Sequence, residues 1–478
     1  MALRTASEYK ESLRDGRSVF FRGQKVADVT THPVIRIAVE HAALEYMLPQ
    51  DPRFRSLAVV EENGEVYNRL YQISRDGDDL RRRSELIAAI TREGAAYPVL
   101  LKEIGTEALF ALHMVAHLLA GRGKPQYLER VERYYRHCRD NDLALSLAQT
   151  DVKGDRSLGP GAQEHPDYYV RKVEERSDGI IVRGAKVHTS CAPYVDEIIV
   201  LPSRSMSPGD EAFSVAFAVP VATKGLRLYA SDFLHGTDDH INRPISTTHK
   251  MIESLTVFDN VFVPWERVFF EGKNDLASAA ALTFVEFHRF TAVSYKLPLL
   301  DGLVGAAIAV ARANGIERAS HVRDKLTWLG GYAEMVRGLT ELAALRGEVE
   351  EGVAYPHVFT TNMAKWVFAR DFHQAMEVVQ DLAGGLLVTG PATSDWESPE
   401  IRPVLEKYYR GAWPADRRMP VLNLIAELTA RLYGGYQAVL AVHAEGSIEA
   451  EKLAMFRAYN PERAINLAMK LAGLDHKK

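Results

Sequence analysis

The spacing of hydrophobic residues changes twice along the chain and divides it into three regions. From Asp78 to Gly121 apolar residues recur at the spacing of an amphipathic helix, and Pro98 predicts a break between two helices. Near Tyr168 the pattern changes to the alternation typical of strands, and near Ser278 the helical spacing returns and continues to the end. The chain is therefore predicted to run helix, strand, helix.

Turn signals refine the central and final regions. Asp178-Gly179 predicts a tight hairpin between two paired strands, and Asp259-Asn260 predicts a second hairpin within residues 255–264. Strands at this density favour an antiparallel barrel or sandwich. Asn314-Gly315 predicts the end of one helix, and the next long helix carries an apolar seam. The seam consists of Leu326, Leu329, Ala333, Val336, Thr340 and Ala343.

Charge and composition exclude several classes of function. The formal net charge of −5 gives no reason to expect nucleic acid or an acidic membrane as partner. No apolar run approaches the roughly 18–20 residues of a membrane span, and the N-terminus has no apolar signal core. Cys138 and Cys191 are too few for a disulfide framework. We expect a cytoplasmic protein.

Two segments point to a function. Residues 149–156 read Gln-Thr-Asp-Val-Lys-Gly-Asp-Arg, and residues 180–190 follow the predicted hairpin turn and end in His-Thr-Ser. These segments resemble the flavin-binding core of the 4-hydroxyphenylacetate 3-hydroxylase / 4-hydroxybutyryl-CoA dehydratase family. The likeness covers nearly the whole chain, including residues 28–33, 257–263 and 381–389. It implies a flavoprotein with FAD as its cofactor.

The resemblance also implies a fold. Its class is α+β on the acyl-CoA dehydrogenase-like plan, with a central antiparallel β-barrel between two helical parts. We place the N-terminal helical domain at residues 1–147, the β-barrel domain at 148–275 and the C-terminal helical domain at 276–478. A Gly-Gly segment of this family contacts flavin bound to a neighbouring subunit, which implies a homotetramer. The apolar seam is expected to provide surface for that assembly.

A flavin ring needs donors near N5 and O4, which loop amides and Thr150 supply, while Lys153 and Arg156 are placed to meet the pyrophosphate or to hold the loop. Structural roles stay open for the same residues: a capped surface turn, a hydrogen-bonded barrel histidine at His188, a helix C-cap at the two glycines, or a simple turn at Gly446. The implied FAD-binding residues are Gln149, Thr150, Asp151, Lys153, Arg156, His188, Thr189, Ser190, Gly384, Gly385, Gly446 and Ser447.

The chain departs from the dehydratase branch of the resembled family. That branch holds a [4Fe-4S] cluster with three cysteines and a histidine, and the matching positions here are Val99, Glu103, Tyr295 and His288. Iron–sulfur clusters need thiolate ligands, so the cluster is expected to be absent. No metal is predicted elsewhere, because His113 and His117 have the four-residue spacing of metal ligands but no third ligand nearby.

The chain also departs from the hydroxylase branch. The Arg, Tyr and His that bind a phenol in that branch match Gly105, Leu109 and Leu147 here. A simple phenol is therefore not the expected substrate. Substrate contacts are instead assigned to His113 and His117, which lie on the same predicted helix, and to Arg289. Residues 235–240 are rich in potential ligands and are interpreted as a loop over the mouth of the pocket.

Three polar residues are the candidates for catalysis. His288 matches a helix that faces the flavin in the resembled family, and without a cluster it is free to act as a general base near neutral pH. Glu253 and Lys296 match polar active-site positions of the dehydratase branch. A buried, structurally paired histidine is the alternative for His288.

Three functions are consistent with these residues. No Walker or Rossmann glycine motif is present, so a flavin oxygenase would receive FADH2 from a separate flavin reductase. The first hypothesis is a two-component FADH2-dependent monooxygenase acting on a small organic substrate other than a simple phenol. The second is a redox-neutral, FAD-dependent dehydratase- or isomerase-like enzyme acting on an acyl thioester without an iron–sulfur cluster. The third is a non-catalytic flavin-binding paralogue.

Overall fold

The computed structural model describes residues 3–231 and 239–474. Residues 235–238 of the loop predicted over the pocket mouth lie outside the described residues. The helices are α1 Ala6–Ser12, α2 Ile35–Ala42, α3 Leu44–Met47, α4 Arg55–Ala58, α5 Gly77–Glu93, α6 Glu103–Gly121, α7 Pro125–Asp140, α8 Asn274–Ala313, α9 Ser320–Leu345, α10 Val358–Ala383, α11 Leu386–Thr389, α12 Thr393–Glu397, α13 Arg402–Tyr408, α14 Ala415–Thr429, α15 Leu432–His443, α16 Ile448–Ala458 and α17 Glu462–Leu471.

The strands are concentrated between α7 and α8. They are β1 Val19–Phe21, β2 Gln24–Lys25, β3 Val59–Glu62, β4 Glu65–Asn68, β5 Leu145–Ala148, β6 Arg171–Glu175, β7 Gly179–Lys186, β8 Glu197–Val200, β9 Val215–Pro220, β10 Leu226–Ala230, β11 Ser254–Pro264, β12 Val268–Glu271, β13 Glu348–Glu350 and β14 Val353–Tyr355. The predicted order of helix, strand and helix is confirmed.

The central strands form two open sheets, so the predicted β-barrel is wrong. One sheet has the order β2-β1-β10-β11-β7-β6 and the other β12-β9-β8-β5. In the described residues neither sheet closes on itself, and a T-shaped contact between Phe217 and Phe258 joins their inner faces. The outer edge of β5 is covered by α6 rather than by another strand: Gly105 of α6 lies so close that a Cβ there would be 2.1 Å from the Leu145 Cβ.

The structure confirms one predicted hairpin and corrects the other. β6 and β7 pair antiparallel across the turn at Asp178-Gly179. Residues 254–264 instead form one strand, β11, whose pairing with β7 shifts register between Phe258 and Val261. Asn260 has a φ of 53°, so its turn-forming conformation produces a bulge within the strand instead of a reversal.

The helical parts contain the predicted breaks. Pro98 lies between α5 and α6, and Asn314-Gly315 ends α8. The apolar seam of α9 packs inside the subunit against α8 and α10, with only Leu326 half-buried, so it leaves little surface for assembly. Helices α6 and α8 are long and apolar enough to cross a membrane, but 72% and 67% of their most apolar windows are buried inside the protein, as in core helices.

Candidate active site

Buried contacts hold the first flavin-like segment, residues 149–156, against the larger sheet. Lys186 of β7 forms a 2.8 Å ion pair with Asp151, and its Nζ donates to the carbonyl of Gln149 at 2.8 Å. Both charged side chains are 2% exposed. The carbonyl of Thr150 accepts from the amide of Val187 at 2.8 Å. Gln149, Thr150 and Asp151 therefore fix the start of this loop, and its remaining residues project from the sheet.

The projecting part of the loop is positively charged. Lys153 and Gly154 have φ values of 74° and 54°, a left-handed pair that turns the loop sharply. Burial lowers the pKa of Lys153, and the nearby charges of Arg156 and Arg204 lower it further against the opposing effect of Asp151. Three cations close together without an equal number of carboxylates suit an anionic group, such as the pyrophosphate of a dinucleotide.

The second flavin-like segment, residues 188–190, follows β7 directly. His188 is exposed with a φ of 57°, and partial desolvation together with Lys153 lowers the pKa of its ring. Thr189 is fully buried, and its hydroxyl accepts from Thr256 at 2.9 Å. Only His188 of these two thus presents its side chain outside the sheet. We call residues 149–156 and 188–190 the sheet wall of the site.

Ser190 connects the sheet wall to a buried carboxyl group. Its hydroxyl lies 2.9 and 3.0 Å from the two carboxylate oxygens of Glu253, just before β11. Burial raises the pKa of Glu253 to about 7, although the hydrogen bond from Ser190 acts in the opposite direction. A carboxyl group that titrates near neutrality is suited to accept or release a proton at physiological pH.

Lys296 lies in a buried ionic cluster. Its Nζ is 2.7 Å from Glu445, in the turn before α16, and the same carboxylate accepts a hydrogen bond from the hydroxyl of Tyr295. Lys365 of α10 is 3.6 Å from Glu445 and pairs with Glu451 at 3.0 Å. Burial lowers the pKa of Lys296 to about 8 despite Glu445. Burial opposes ionisation of Glu445, but Lys296, Lys365 and His288 lower its pKa to about 2.

His288 is paired with a carboxylate of α6. Its Nδ1 lies 2.8 Å from Oε2 of Glu107, and its ring stacks on Phe284 with centroids 5.1 Å apart. Glu107 is fully buried, and its other oxygen faces the Arg83 guanidinium at 3.8 Å. Both interpretations of His288, as a base and as a paired histidine, are thus compatible with its position. Glu107 and His288 are placed by two different helices, which fixes the ring.

The carboxyl groups of Glu445, Glu107 and Glu253 all influence the hydroxyl of Tyr295. Burial raises the pKa of the Tyr295 hydroxyl well above its usual value, and the charges of Glu445, Glu107 and Glu253 each raise it further. Tyr295 therefore lies within electrostatic reach of all three carboxyl groups. We call Glu107, His288, Tyr295, Lys296 and Glu445 the helix wall; Glu253 lies where the two walls join.

Arg289, Gly446 and Ser447 build the turn that carries Glu445. Arg289 is 4% exposed and donates from Nε to the carbonyl of Glu445 at 3.0 Å and from Nη1 to Asn362 at 2.6 Å. Gly446 has a φ of 107°, and a Cβ there would lie 2.7 Å from Arg289 Nη2. The hydroxyl of Ser447 caps α16. In this structure the three residues position the buried carboxylate of Glu445.

His113 and His117 form a separate pair on α6. Their Nε2 atoms are 3.1 Å apart, and His117 Nδ1 is 3.6 Å from Glu351 in the turn between β13 and β14. Burial and His117 lower the pKa of His113. Within residues 3–231 and 239–474 no group of three His, Cys, Asp or Glu side chains is arranged to hold a metal. Within the part of the chain that the structure describes, no hydrogen bond or ion pair joins this pair to the helix wall.

Gly384 and Gly385 lie at the end of α10 and remain open to the outside. Gly384 has a φ of 78°, and a Cβ on either residue would meet no atom within 4 Å. The C-cap role and the contact with a neighbouring subunit's flavin are both consistent with this position. No other described side chain blocks an approach to their backbone.

A cavity of about 980 Å³ adjoins the site. Its wall includes Tyr436, whose pKa is raised by burial and by the charge of Glu253, together with Tyr433 and the two guanidinium groups of Arg243 and Arg431. Pockets for small ligands are commonly of this size. The cavity therefore gives space for a small ligand beside Tyr436, which lies within electrostatic reach of Glu253.

The positions that match the cluster ligands do not fit an iron–sulfur cluster. Tyr295 and His288 are engaged with Glu445 and Glu107. Glu103 is buried near Glu45, and burial together with the charge of Glu103 raises the pKa of Glu45. Both cysteines are buried, and the Cys191 thiol lies 3.5 Å from the carbonyl of Val99. No thiolate set is available at these positions to bind iron.

Several residues of the site are not predictable from the sequence pattern alone. Glu445 directly precedes the predicted Gly446-Ser447 turn, so a charged neighbour of that turn was an available signal. Glu107 and Tyr436 had no such signal, because their roles depend on which helices pack together. Arg204 lies near Lys153 and Arg156 only because the chain comes back to the loop of residues 149–156 after β8.

Comparison with known proteins agrees with this geometry. Residues 5–270 match the family described as 4-hydroxyphenylacetate 3-hydroxylase N terminal, and residues 277–473 match its C-terminal counterpart. The chain is 29% identical over 490 positions to the 4-hydroxybutyryl-CoA dehydratase/vinylacetyl-CoA-Delta-isomerase of Clostridium aminobutyricum, covering 99% of this chain and 100% of that protein. It is 29% identical over 469 positions to the 4-hydroxyphenylacetate 3-monooxygenase oxygenase component of Thermus thermophilus, covering 96% and 95%.

Solved structures give the same two branches. An oxygen-tolerant archaeal 4-hydroxybutyryl-CoA dehydratase from N. maritimus superposes with a TM-score of 0.91 at 27% identity, covering 100% of this chain and 96% of that one. The oxygenase component of 4-hydroxyphenylacetate 3-monooxygenase complexed with FAD has a TM-score of 0.90 at 28% identity, covering 98% and 99%. The chain belongs to the 4-hydroxyphenylacetate 3-hydroxylase family.

Proposed function

We propose that this protein is the oxygenase component of a two-component, FAD-dependent monooxygenase that hydroxylates a small organic substrate other than a simple phenol. The observation that carries the proposal is the contrast between the intact flavin-binding segments and the positions Val99, Glu103 and Tyr295, which offer no thiolate. FAD is the cofactor, as in the related structures complexed with it. Bound as FADH2, it supplies the electrons and the site at which oxygen is activated.

The protein's own residues prepare the substrate. Glu253, with a pKa of about 7, accepts a proton from the substrate and releases it to the cavity. His288 provides a second proton acceptor, held by Glu107 on the helix wall. The side chain of Lys296, with a pKa of about 8, attracts a substrate anion in its protonated form. Lys296 is buried, and Glu253 and His288 are half-buried, which limits the access of water to the reaction space.

The residues at the phenol-binding positions do not suit a phenol. Leu109 and Leu147 are 1% and 6% exposed and offer no polar group, and Gly105 is packed against Leu145. The wall of the cavity beside Tyr436 carries the cations Arg243 and Arg431 and the carboxylates Asp239 and Glu427. A polar substrate group that both donates and accepts hydrogen bonds would complement this mixed wall.

The test is the reaction of the reduced, FAD-loaded protein with oxygen in a stopped-flow spectrometer. A monooxygenase should show a transient absorbance distinct from reduced and oxidised flavin, and labelled oxygen should enter the product. Immediate reoxidation with stoichiometric hydrogen peroxide and no label in any product would contradict the proposal. Protein that neither contains nor binds FAD would contradict every flavin function proposed for this chain.

A redox-neutral lyase or isomerase acting on an acyl thioester is the second candidate. The specific observation in its favour is that Lys296 lies 3.4 Å from the hydroxyl of Tyr295, and Glu253 and Glu107, the partner of His288, lie within electrostatic reach of it, although the cluster ligands are absent. Such an enzyme would remove and return protons at a substrate carbon without consuming oxygen. Turnover with oxidised FAD under strict anaerobiosis would favour this candidate over the monooxygenase.

We also propose a reductase partner and a homotetramer. A separate flavin reductase supplies FADH2, as the oxygenase-component names of the relatives suggest. Gly384 and Gly385 are open for contact with a neighbouring subunit's flavin, but the interface must use a surface other than the buried α9 seam. Light scattering should give about four times the chain mass of 53.4 kDa. A stable monomer that binds FAD tightly would contradict the tetramer.

A further inference from the structure

The helix wall contains a carboxylate to which neither candidate function assigns a role. Glu107 lies on α6, is fully buried, and contacts the ring of His288 on α8 at 2.8 Å. Burying a carboxylate without partners is costly, so a buried Glu is expected to be paired. Glu107 contacts His288 and, at 3.8 Å, Arg83. The Glu107 carboxylate therefore lies between the guanidinium of Arg83 and the imidazole of His288.

We propose that Glu107 is a positioning residue that holds His288 in the tautomer with a proton on Nδ1 and none on Nε2. A carboxylate is only an acceptor, so the Nδ1 that faces Glu107 Oε2 must carry the proton. A neutral imidazole has one proton, which leaves Nε2 as a bare acceptor. Among the described residues Nε2 of His288 has no hydrogen-bond partner of its own.

Surrounding contacts keep this arrangement in place. Arg83 is anchored by hydrogen bonds to the carbonyl of Leu70 at 2.6 Å and to Thr106 at 2.8 Å, so its charge stays beside Glu107. Phe284 stacks on the His288 ring, which restricts its rotation. A hydrogen bond on one ring nitrogen fixes which nitrogen reacts, as in enzymes that orient a catalytic histidine with a carboxylate.

Other charged groups around His288 are consistent with Nε2 as the reactive atom. Glu445 lies within electrostatic reach of the ring from the turn before α16, and Tyr295 lies further along α8. Neither side chain is hydrogen-bonded to His288. A proton taken up by Nε2 would therefore be stabilised by two carboxylates, Glu107 and Glu445, without either having to accept it. The tautomer of His288 does not depend on the proposed function, and only the expected effect on turnover rests on it.

The test is proton–nitrogen correlation NMR of the FAD-loaded protein with histidine labelled on its ring nitrogens. The His288 signals are assigned by their loss in His288→Gln. We expect the wild-type ring to be protonated on Nδ1 and bare on Nε2. A wild-type ring that carries its single proton on Nε2 would overturn the proposal, and this readout needs no substrate.

Two matched variants sharpen the result. Glu107→Leu removes the acceptor, so the ring should shift towards the Nε2-protonated tautomer, and turnover should fall roughly 10²–10⁴-fold with FAD affinity unchanged. Glu103→Leu removes another buried carboxylate one turn earlier on α6, which makes no contact with His288, and should leave the tautomer unchanged. An unchanged tautomer in Glu107→Leu would refute the positioning role. Failure of the oxygen test with the expected tautomer would refute only the monooxygenase.

Discussion

The sheet wall and the helix wall hold their polar groups in opposite ways. On the sheet wall Lys153, Arg156 and His188 project outward, while Gln149 and Asp151 are tied to Lys186. On the helix wall the titratable groups are buried and paired with one another. The first arrangement suits an anionic cofactor, which would be held by charge and backbone contact. The second arrangement suits proton transfer, because burial shifts ionisation and pairing fixes geometry.

This difference separates two kinds of experimental effect. Changes to the outward residues of the sheet wall should alter FAD affinity and leave turnover per bound flavin intact. Changes to the helix wall should alter turnover, pH dependence or stability and leave FAD affinity nearly unchanged. A variant that changes both FAD affinity and turnover per bound flavin would argue against separate roles for the two walls.

Replacing His288 by alanine should have the largest effect on turnover. Loss of a general base should lower turnover by roughly 10²–10⁴-fold. Steady-state kinetics, FAD content and thermal unfolding should be measured together, with His321→Ala on the exposed face of α9 as the control. If the variant loses folding or flavin while activity per bound flavin is intact, His288 is structural.

Replacing Lys296 by methionine should have the largest effect on stability. It leaves Glu445 buried with the more distant Lys365 at 3.6 Å, and removing one partner of a buried ion pair costs roughly 3–5 kcal/mol. Urea unfolding measures the loss. Lys452→Met, in an exposed pair with Glu449, should cost less than about 1 kcal/mol. Equal losses in the two variants would show that the buried cluster contributes no special stability.

Glu253 should produce opposite pH trends in stability and turnover. Burial raises its pKa to about 7, above the value of roughly 4.3 in an unfolded chain. Its contribution to stability is therefore full below about pH 4 and is lost as the pH rises through about 7. Turnover that needs the carboxylate should instead rise over the same interval.

Two variants check the assignment to Glu253. Glu253→Gln should remove its part of both trends, measured by urea unfolding and by turnover at a series of pH values. Ser190→Ala removes a hydrogen bond that favours the ionised form, so the midpoint of turnover should move to higher pH. A turnover profile that is identical in wild type and Ser190→Ala would contradict this account.

Replacing Lys153 by methionine should give the smallest effect. One partly exposed charge near a phosphate contributes roughly 0.2–1 kcal/mol, so the Kd for FAD should rise by about 1.5–5-fold. Fluorescence titration with FAD measures the change, and salt should reduce the difference between the two proteins. Lys452→Met serves again as the control. Reduced turnover at saturating FAD would place Lys153 in the chemistry instead.

The sequence predicted the parts of this fold that depend on local pattern. The helix break at Pro98, the hairpin at Asp178-Gly179 and the end of α8 at Asn314-Gly315 are all determined by neighbouring residues. The barrel prediction was wrong because closure depends on what covers the edge of β5, which is α6 from a distant part of the chain. The hairpin at Asp259-Asn260 was wrong because pairing with β7 continues on both sides of the bulge.

The candidate site was also predictable only in part. Glu253, His288 and Lys296 were implied by the family resemblance. In the structure Lys296 lies 3.4 Å from the Tyr295 hydroxyl, Glu253 is within electrostatic reach of it, and His288 is paired with Glu107. Their partners Glu107, Tyr436 and Glu445 come from other helices and turns, so only the packed structure identifies them. The predicted FAD-binding and substrate-binding residues stay predictions, and His113 and His117 lie apart from the helix wall.

A crystal structure of the FAD complex tests the central claim most directly. The account predicts that the pyrophosphate lies beside Lys153 and Arg156, and that the flavin ring lies between the two walls with its N5 edge towards Glu253 and Nε2 of His288. A flavin ring bound elsewhere, or a His288 ring turned into the helical core with Nε2 away from the flavin, would contradict the account.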